Sequence, residues 1–224
     1  MEIFRAAHLD GARTARGTAV VIDVLRAFTT AACAFAGGAR DILLVDSVEA
    51  AFALKRRFPD AFVMGEVGGH KVDGFDHGNS PSDFPPDAVR GRRIIQCTGS
   101  GTRCAVAASG ADALFVSSLA IAGATARAVG PAPVVTLVAS MGSEEGDDAV
   151  ADYLEGLLRG IPPPPGEIVR RIRESSAGRR ISSGKFPQYP PADLDVCTRL
   201  DAFEFAIRVA REGDLLVARR REFA

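Results

Sequence analysis

Four places in this 224-residue chain set reactive side chains directly after short apolar runs. Asp23 follows Val20-Val21-Ile22, with Arg26 close behind. Glu66 follows Ala61-Phe62-Val63-Met64 and a glycine. Cys97-Thr98-Gly99-Ser100-Gly101-Thr102-Arg103 follows Ile94-Ile95. Asp147 and Asp148 close a polar stretch beyond Val134 to Ala139. Carboxylates facing a hydroxyl-rich, glycine-rich loop are the parts of a metal-assisted phosphate site. Mg²⁺ takes a few carboxylates and completes its shell with water and phosphate oxygens. It neutralises charge and positions the attacking group. In the loop, Gly99 and Gly101 let the backbone approach a ligand closely. Backbone N–H groups at the start of the following helix favour an anion. Ser100 and Thr102 can donate to phosphate oxygens, and Arg103 can grip two of them at once.

The same loop admits a second chemistry. Cys97 and Arg103 have the Cys-x5-Arg spacing of cysteine-dependent phosphatases. There a thiolate attacks phosphorus while loop amides and the arginine hold the oxygens. A helix N-terminus would lower the thiol pKa. Gln96 stands where such loops commonly carry a histidine.

These residues need a scaffold, and the apolar pattern supplies one. Short β-branched runs alternate with alanine-rich helical segments, which predicts βαβ units and a parallel sheet. Strands are expected at Val20-Val21-Ile22, Ile42-Leu43-Leu44-Val45, Ala61-Phe62-Val63-Met64, around Ile94-Ile95, at Ala113-Leu114-Phe115-Val116 and over Val134 to Ala139. Helices are expected up to Ala36 and over Val48 to Phe58, Ala120 to Val129, Asp148 to Arg159 and Glu167 to Glu174. Val67 to Pro86 crowds glycine, proline and charge. A loop of that length inside a domain is usually functional or disordered, and Phe75 and Phe84 argue for order. Gly178 to Asp193 reads mostly as loop. Phe205, Ile207 and Val209 alternate, Glu212-Gly213-Asp214 turns the chain, and Leu215-Leu216-Val217 returns as a hairpin. That hairpin makes the sheet mixed. An ungapped internal repeat sets Ile42-Leu43-Leu44-Val45 on Leu114-Phe115-Val116-Ser117 and Thr30 on Thr102. Ligands of an open parallel sheet bind beyond the carboxyl ends of its strands. The four reactive places are therefore expected to converge.

Composition narrows the function. A net charge of −1 argues against a nucleic-acid surface. No apolar run is long enough to span a membrane, and the first residues do not form a signal peptide. The four cysteines show no paired metal spacing, so a reduced, cytoplasmic protein is expected. The length suits a single domain over 1–224, with sub-lobes 1–130 and 131–224 as the alternative division.

From Val20 to about Asp148 the chain resembles the 2-phosphosulfolactate phosphatase family, the ComB-like proteins. The likeness is looser beyond. It rests on Val21-Ile22-Asp23-Val24-Leu25-Arg26-Ala27, Gly65-Glu66, Gly74-Phe75-Asp76-His77-Gly78-Asn79-Ser80-Pro81, the Gly101-Thr102-Arg103 turn and Asp147-Asp148. The Gly-Phe-Asp-x-Gly-Asn-Ser-Pro string is the most specific of these. The chain departs from the family pattern at Cys97, Ser100 and Asp147. The resemblance implies a three-layer α/β/α fold with a mostly parallel, mixed sheet. It implies Mg²⁺-dependent release of phosphate from 2-phosphosulfolactate, giving sulfolactate on the route to coenzyme M. On that reading Asp23, Glu66 and Asp148 hold the metal. Asp23 and Asp76 are the candidate catalytic carboxylates, as nucleophile or general acid. Arg26, Lys71, Asn79, Ser80, Ser100, Gly101, Thr102 and Arg103 bind the substrate. The cysteine mechanism and a non-catalytic binder of phosphorylated acids are the alternatives. A homodimer is the working expectation for assembly.

Overall fold

Among the described residues, ten strands share one sheet: β1 (Glu2–Ala7), β2 (Thr18–Ile22), β3 (Asp41–Val45), β4 (Phe62–Val67), β5 (His70–Lys71), β6 (Arg93–Cys97), β7 (Ala113–Ser117), β8 (Val134–Ala139), β9 (Ala206–Glu212) and β10 (Leu215–Arg221). Their order across the sheet is β1-β8-β2-β7-β9-β10-β3-β6-β4-β5. The helices are α1 (His8–Arg13), α2 (Ala27–Ala36), α3 (Val48–Arg57), α4 (Pro86–Val89), α5 (Gly101–Ala107), α6 (Ala122–Val129), α7 (Asp147–Arg159), α8 (Pro165–Glu174), α9 (Ser176–Ser182) and α10 (Pro191–Cys197). The computed structural model describes residues 1–223, leaving aside the side chain of Glu145. Helices cover both faces of the mixed sheet, giving the expected three-layer α/β/α architecture.

The sheet consists of two internally parallel blocks. One holds β1, β8, β2 and β7; the other holds β3, β6 and β4. The β9–β10 hairpin joins them, antiparallel to β7 on one side and to β3 on the other. The expected βαβ units are present, but not as crossovers between parallel neighbours. The β2-α2-β3 and β6-α5-β7 units each cross from one block to the other. β2 pairs with β7, and β3 with β6. The registers match: Thr18 lies opposite Ala113 and Ile22 opposite Ser117, while Arg93 lies opposite Asp41 and Cys97 opposite Val45. Exchanging the blocks therefore maps β2 onto β6 and β7 onto β3. The internal repeat exists in three dimensions, with one correction. The second copy has a helix of 7 residues against 10 in the first. Ala27, not Thr30, consequently stands opposite Thr102. Both their N–H groups are capped from the carboxyl end of the preceding strand, by Asp23 and Thr98 respectively.

The alternation of side chains along each strand separates the core. Ala19, Val21, Ile42, Leu44, Leu114, Val116, Ile207 and Val209 make one continuous face with α2 and α5. The opposite face divides between the blocks. Val20, Ile22, Phe115 and Leu137 pack with Val150, Leu154, Ile168 and Ile181. Leu43, Val45, Val63 and Ile95 pack with Ala51 of α3. The strands β2 and β6 run in opposite senses along the sheet, yet the turns that follow them come into contact, Gly101 lying against Asp23 and Ala27. The first turns of α2 and α5 meet there.

β8, from beyond residue 130, lies between β1 and β2 in the sheet. Gly178 to Asp193 is loop over 183–190 only; the end of α9 precedes that loop and α10 follows it, with a proline in its first turn. Proline suits that position because it has no N–H to leave unpaired.

Candidate active site

Asp23 leaves β2 and turns back onto the helix that it introduces. Its Oδ1 accepts the Ala27 N–H at 2.8 Å, as a helix cap does. Its Oδ2 lies 3.1 Å from the Ser140 hydroxyl, which follows β8. That hydroxyl is also 3.0 Å from Asp147 Oδ2. Asp147 is buried and accepts the Val24 N–H at 2.9 Å and the Met141 N–H at 3.0 Å. A hydroxyl has one proton, so Ser140 cannot donate to both carboxylates. Both contacts are hydrogen bonds only when one carboxyl carries a proton. Burial pushes the Asp23 pKa up to about 6, against the lowering effect of its Ala27 and Ser140 bonds. Burial also raises Asp147, and the charge of Asp23 adds to that. The two titrate as a pair.

Asp147, not Asp148, reaches this network. Adjacent helical residues point about 100° apart. Asp148 is half-buried, its carbonyl accepts from Arg5, and it does not line the cavity described below.

The other block supplies Glu66. Its Oε1 accepts the Gly99 N–H at 2.7 Å, and its Oε2 the Gly69 N–H at 2.5 Å. The Gly99 amide, expected to face an anion, is thus already bonded to a carboxylate. Two glycines make the approach possible. Gly65 has φ +140°, and a Cβ there would run into the Cys97 carbonyl oxygen. A Cβ on Gly101 would lie 2.6 Å from Asp23 Oδ2 and 2.9 Å from Ala27 Cβ.

A cavity of about 300 Å³ opens among these groups. Asp23, Glu66, Arg26, Asn79 and Ser100 line it, together with Glu144, Arg180 and Tyr189. A second cavity of about 320 Å³ adjoins it, sharing Arg26, Gly69 and Asn79. Lys71, Asp76, His77 and Ser80 line that second space. Asn79 Oδ1 is buried with no hydrogen-bond partner among the described residues. An orphaned acceptor where two cavities join suits a ligand donor.

The remaining expected residues divide by geometry. Arg26 is buried, with Nη1 donating to Asp193 at 2.6 Å and to the Gln188 carbonyl at 2.9 Å. Asp76 accepts the Val63 N–H at 2.8 Å and stays out of the first cavity. Lys71 donates to the Phe75 carbonyl at 3.1 Å. Ser80 donates its hydroxyl to Asp193 at 2.6 Å. Thr102 is buried and turned back on Thr98, whose N–H it accepts at 2.8 Å. It closes the turn and lines neither cavity. Arg103 is exposed and lines neither. Cys97 is buried in the core with Leu43 and Ile95. Burial, then the nearby Glu66 charge, pushes its thiol up to about 11. Cys97 lines neither cavity, and a thiol pKa raised in this way works against a thiolate nucleophile.

Sequence reading missed Asp193, Arg180 and Tyr189. Asp193 accepts from Ser80 Oγ, Ser82 Oγ and the Ser82 N–H through one oxygen and from Arg26 through the other. In the sequence it closes a stretch read mostly as loop, with nothing local to mark it.

A model of the 2-phosphosulpholactate phosphatase family matches residues 4–160. The chain belongs to that family. Family members include a Bacillus subtilis (strain 168) protein named "Probable 2-phosphosulfolactate phosphatase". It is 35% identical over 201 residues, 88% of each chain. A Deinococcus radiodurans protein of the same name is 44% identical over 110 residues, 49% of this chain and 46% of its own. One from Carboxydothermus hydrogenoformans is 44% identical over 107 residues, 48% of this chain and 44% of its own. The family is one of phosphoric monoester hydrolases. Arg180, Tyr189 and Asp193 lie beyond the stretch that the family model matches.

Proposed function

We propose that this chain hydrolyses the phosphate ester of a small anionic acid, 2-phosphosulfolactate, releasing sulfolactate and phosphate. The observation that carries the reading is the first cavity. It lies where the first turns of two helices meet, and three carboxylates and two guanidiniums line it. Guanidiniums and helix N-termini suit a phosphate. Carboxylates facing the same space suit a cation bound with it.

The donor set fits Mg²⁺. Among the described residues no group of three or more His, Cys, Asp or Glu side chains is placed to hold a metal ion. Mg²⁺ does not need one: one or two carboxylates, water and phosphate oxygens suffice. Asp23 and Glu66 would hold it. Zn²⁺, which favours three or four nitrogen and sulfur ligands, does not fit. When bound, Mg²⁺ would neutralise phosphate charge.

The chain's own residues do the rest. Arg26, fixed by Asp193, and Arg180 bind phosphate oxygens in a prepared geometry. Ser140 links Asp147 to Asp23 Oδ2, the atom at which a proton can be held or moved. Asp76, bonded to Val63 at the neighbouring cavity, leaves that task to Asp23. On this reading the reaction is cytoplasmic and of the kind used in coenzyme M synthesis. No helix among the described residues is long and apolar enough to cross a membrane.

The test is phosphate release from 2-phosphosulfolactate beside phospholactate and phosphoglycerate, with Mg²⁺ and with chelator. Release that chelator stops and Mg²⁺ restores supports the reading. Full activity in chelator removes the metal from it. Binding of the esters without release of phosphate from any leaves a binder instead.

A further inference from the structure

Resting on that reading of the first cavity, we propose that Tyr189 is a positioning residue. Its ring sets Arg26 and Arg180 as a two-guanidinium clamp on the substrate phosphate. The Arg26 Cζ lies 4.8 Å from the centroid of the Tyr189 ring, and the Arg180 Cζ lies 5.1 Å from the same centroid. All three side chains line the cavity that Asp23 and Glu66 share. Two guanidiniums gathered on one ring repel each other. The negative π-face attracts both and, together with the Asp193 carboxylate bound to Arg26, offsets that repulsion. A phosphate then completes the arrangement, because one such group can take a guanidinium on each side.

Tyr189 is itself fixed. Its N–H donates to the Phe186 carbonyl at 2.9 Å, and the two rings stand edge to face at 6.4 Å. Its hydroxyl rests against Gly69, where a Cβ would collide with it. Gly69 also gives its N–H to Glu66. The ring is thus seated between the glycine turn after β4 and the two arginines. The ring, not the hydroxyl, does the positioning, and that distinction makes the assignment testable.

Tyr189→Phe keeps the ring and Tyr189→Leu removes it. The readouts are KM and kcat for the phosphate ester, inhibition by inorganic phosphate, and calorimetric binding of inorganic phosphate. The Phe variant should keep the wild-type KM and phosphate constant within about 2-fold. The Leu variant should raise both by roughly 10-fold, from the loss of two cation–π contacts, with a smaller fall in kcat. Arg180→Gln should weaken phosphate binding strongly in the wild type and much less in the Leu background. Should Tyr189→Leu not fold, Tyr189→Met fills similar space without a ring and serves in its place. Unchanged phosphate constants in the ring-less variant would overturn the assignment. So would an equal loss in Tyr189→Phe, which would put the role on the hydroxyl. If the wild type releases phosphate from no ester, the hydrolase reading fails, while the calorimetric comparison still decides the clamp. A wild type that binds no phosphate overturns the clamp as well.

Discussion

Arg26 and Asp193 form an ion pair of 2.6 Å with side chains only 3% and 0% exposed. The carboxylate is saturated from its other side by Ser80 and Ser82. Entry to α2, the end of the glycine-rich loop and the start of α10 are tied at this one group.

Asp193→Ala should leave the Arg26 guanidinium buried without its counter-charge. Removing one partner of a buried pair costs about 3–5 kcal/mol. Asp193→Asn keeps an acceptor for the serines and should cost less. Urea denaturation of the three proteins checks this, and KM should rise in the same order. An unchanged denaturation midpoint in Asp193→Ala would show that the pair contributes nothing to stability.

Asp23 makes the metal-free protein unusual in its response to pH. Its folded pKa, about 6, stands above its ordinary 3.8. Between those values the folded state holds a proton that the unfolded state has released. Stability therefore falls as pH rises from about 4 to about 6, and stays lower above that. Asp23→Asn mimics the protonated form: its oxygen can accept from Ala27 and its amide can donate to Ser140. In chelator, this variant should be more stable than wild type at pH 7.5, and the gap should close toward pH 4. It should also be inactive. Parallel stability curves for the two proteins would rule this out.

Cys97 and Arg103 should both be dispensable for turnover. Arg103→Ala alters an exposed side chain and should change stability by less than about 0.5 kcal/mol. Cys97→Ala removes one buried atom, at a cost of about 1 kcal/mol. Arg26→Ala should lower kcat/KM roughly 100-fold. Steady-state kinetics on the three variants separates the arginines. A dead Cys97→Ala that still folds would restore the thiol mechanism.

Gly101 should not tolerate even a methyl group. The added Cβ would press on Asp23 Oδ2 and Ala27 Cβ together. Gly101→Ala should depress both kcat and the thermal midpoint. Gly110→Ala is the control, since its Cβ would meet nothing within 4 Å. Equal behaviour of the two variants would mean that the α2–α5 contact is slack.

Much of this was legible in the chain, for reasons that particular residues show. Asp23 and Glu66 announce themselves because apolar strands end directly before them, and parallel strands present their carboxyl ends to ligands. Asp147 and Asp148 are adjacent in sequence, and only the helix phase decides which one turns inward. Arg103 has the right chemistry on the wrong side of a short helix. Asp193 works through partners more than a hundred residues away, Ser80 and Arg26. Nothing local distinguishes it from an acid at a helix start. The strand crossing between blocks was hidden for a similar reason. Periodicity reports which residues form a strand, while pairing partners are a long-range property. β1 lies at the edge with most of its residues only half-buried, so its apolar signal is weak.

The β9–β10 hairpin bears on how the molecule is made. It follows every other strand in the chain, yet it is the seam of the sheet. Before it docks, β7 and β3 are both open edges, and the two blocks are linked through α2, α5 and the connecting loops alone. Asp23 comes from one block and Glu66 from the other. During synthesis, the blocks can form as separate curved sheets while the seam is still unmade. Long-range pairing of this kind is slow. The two carboxylates that share the cavity are therefore held in place across a seam that β9 and β10 supply.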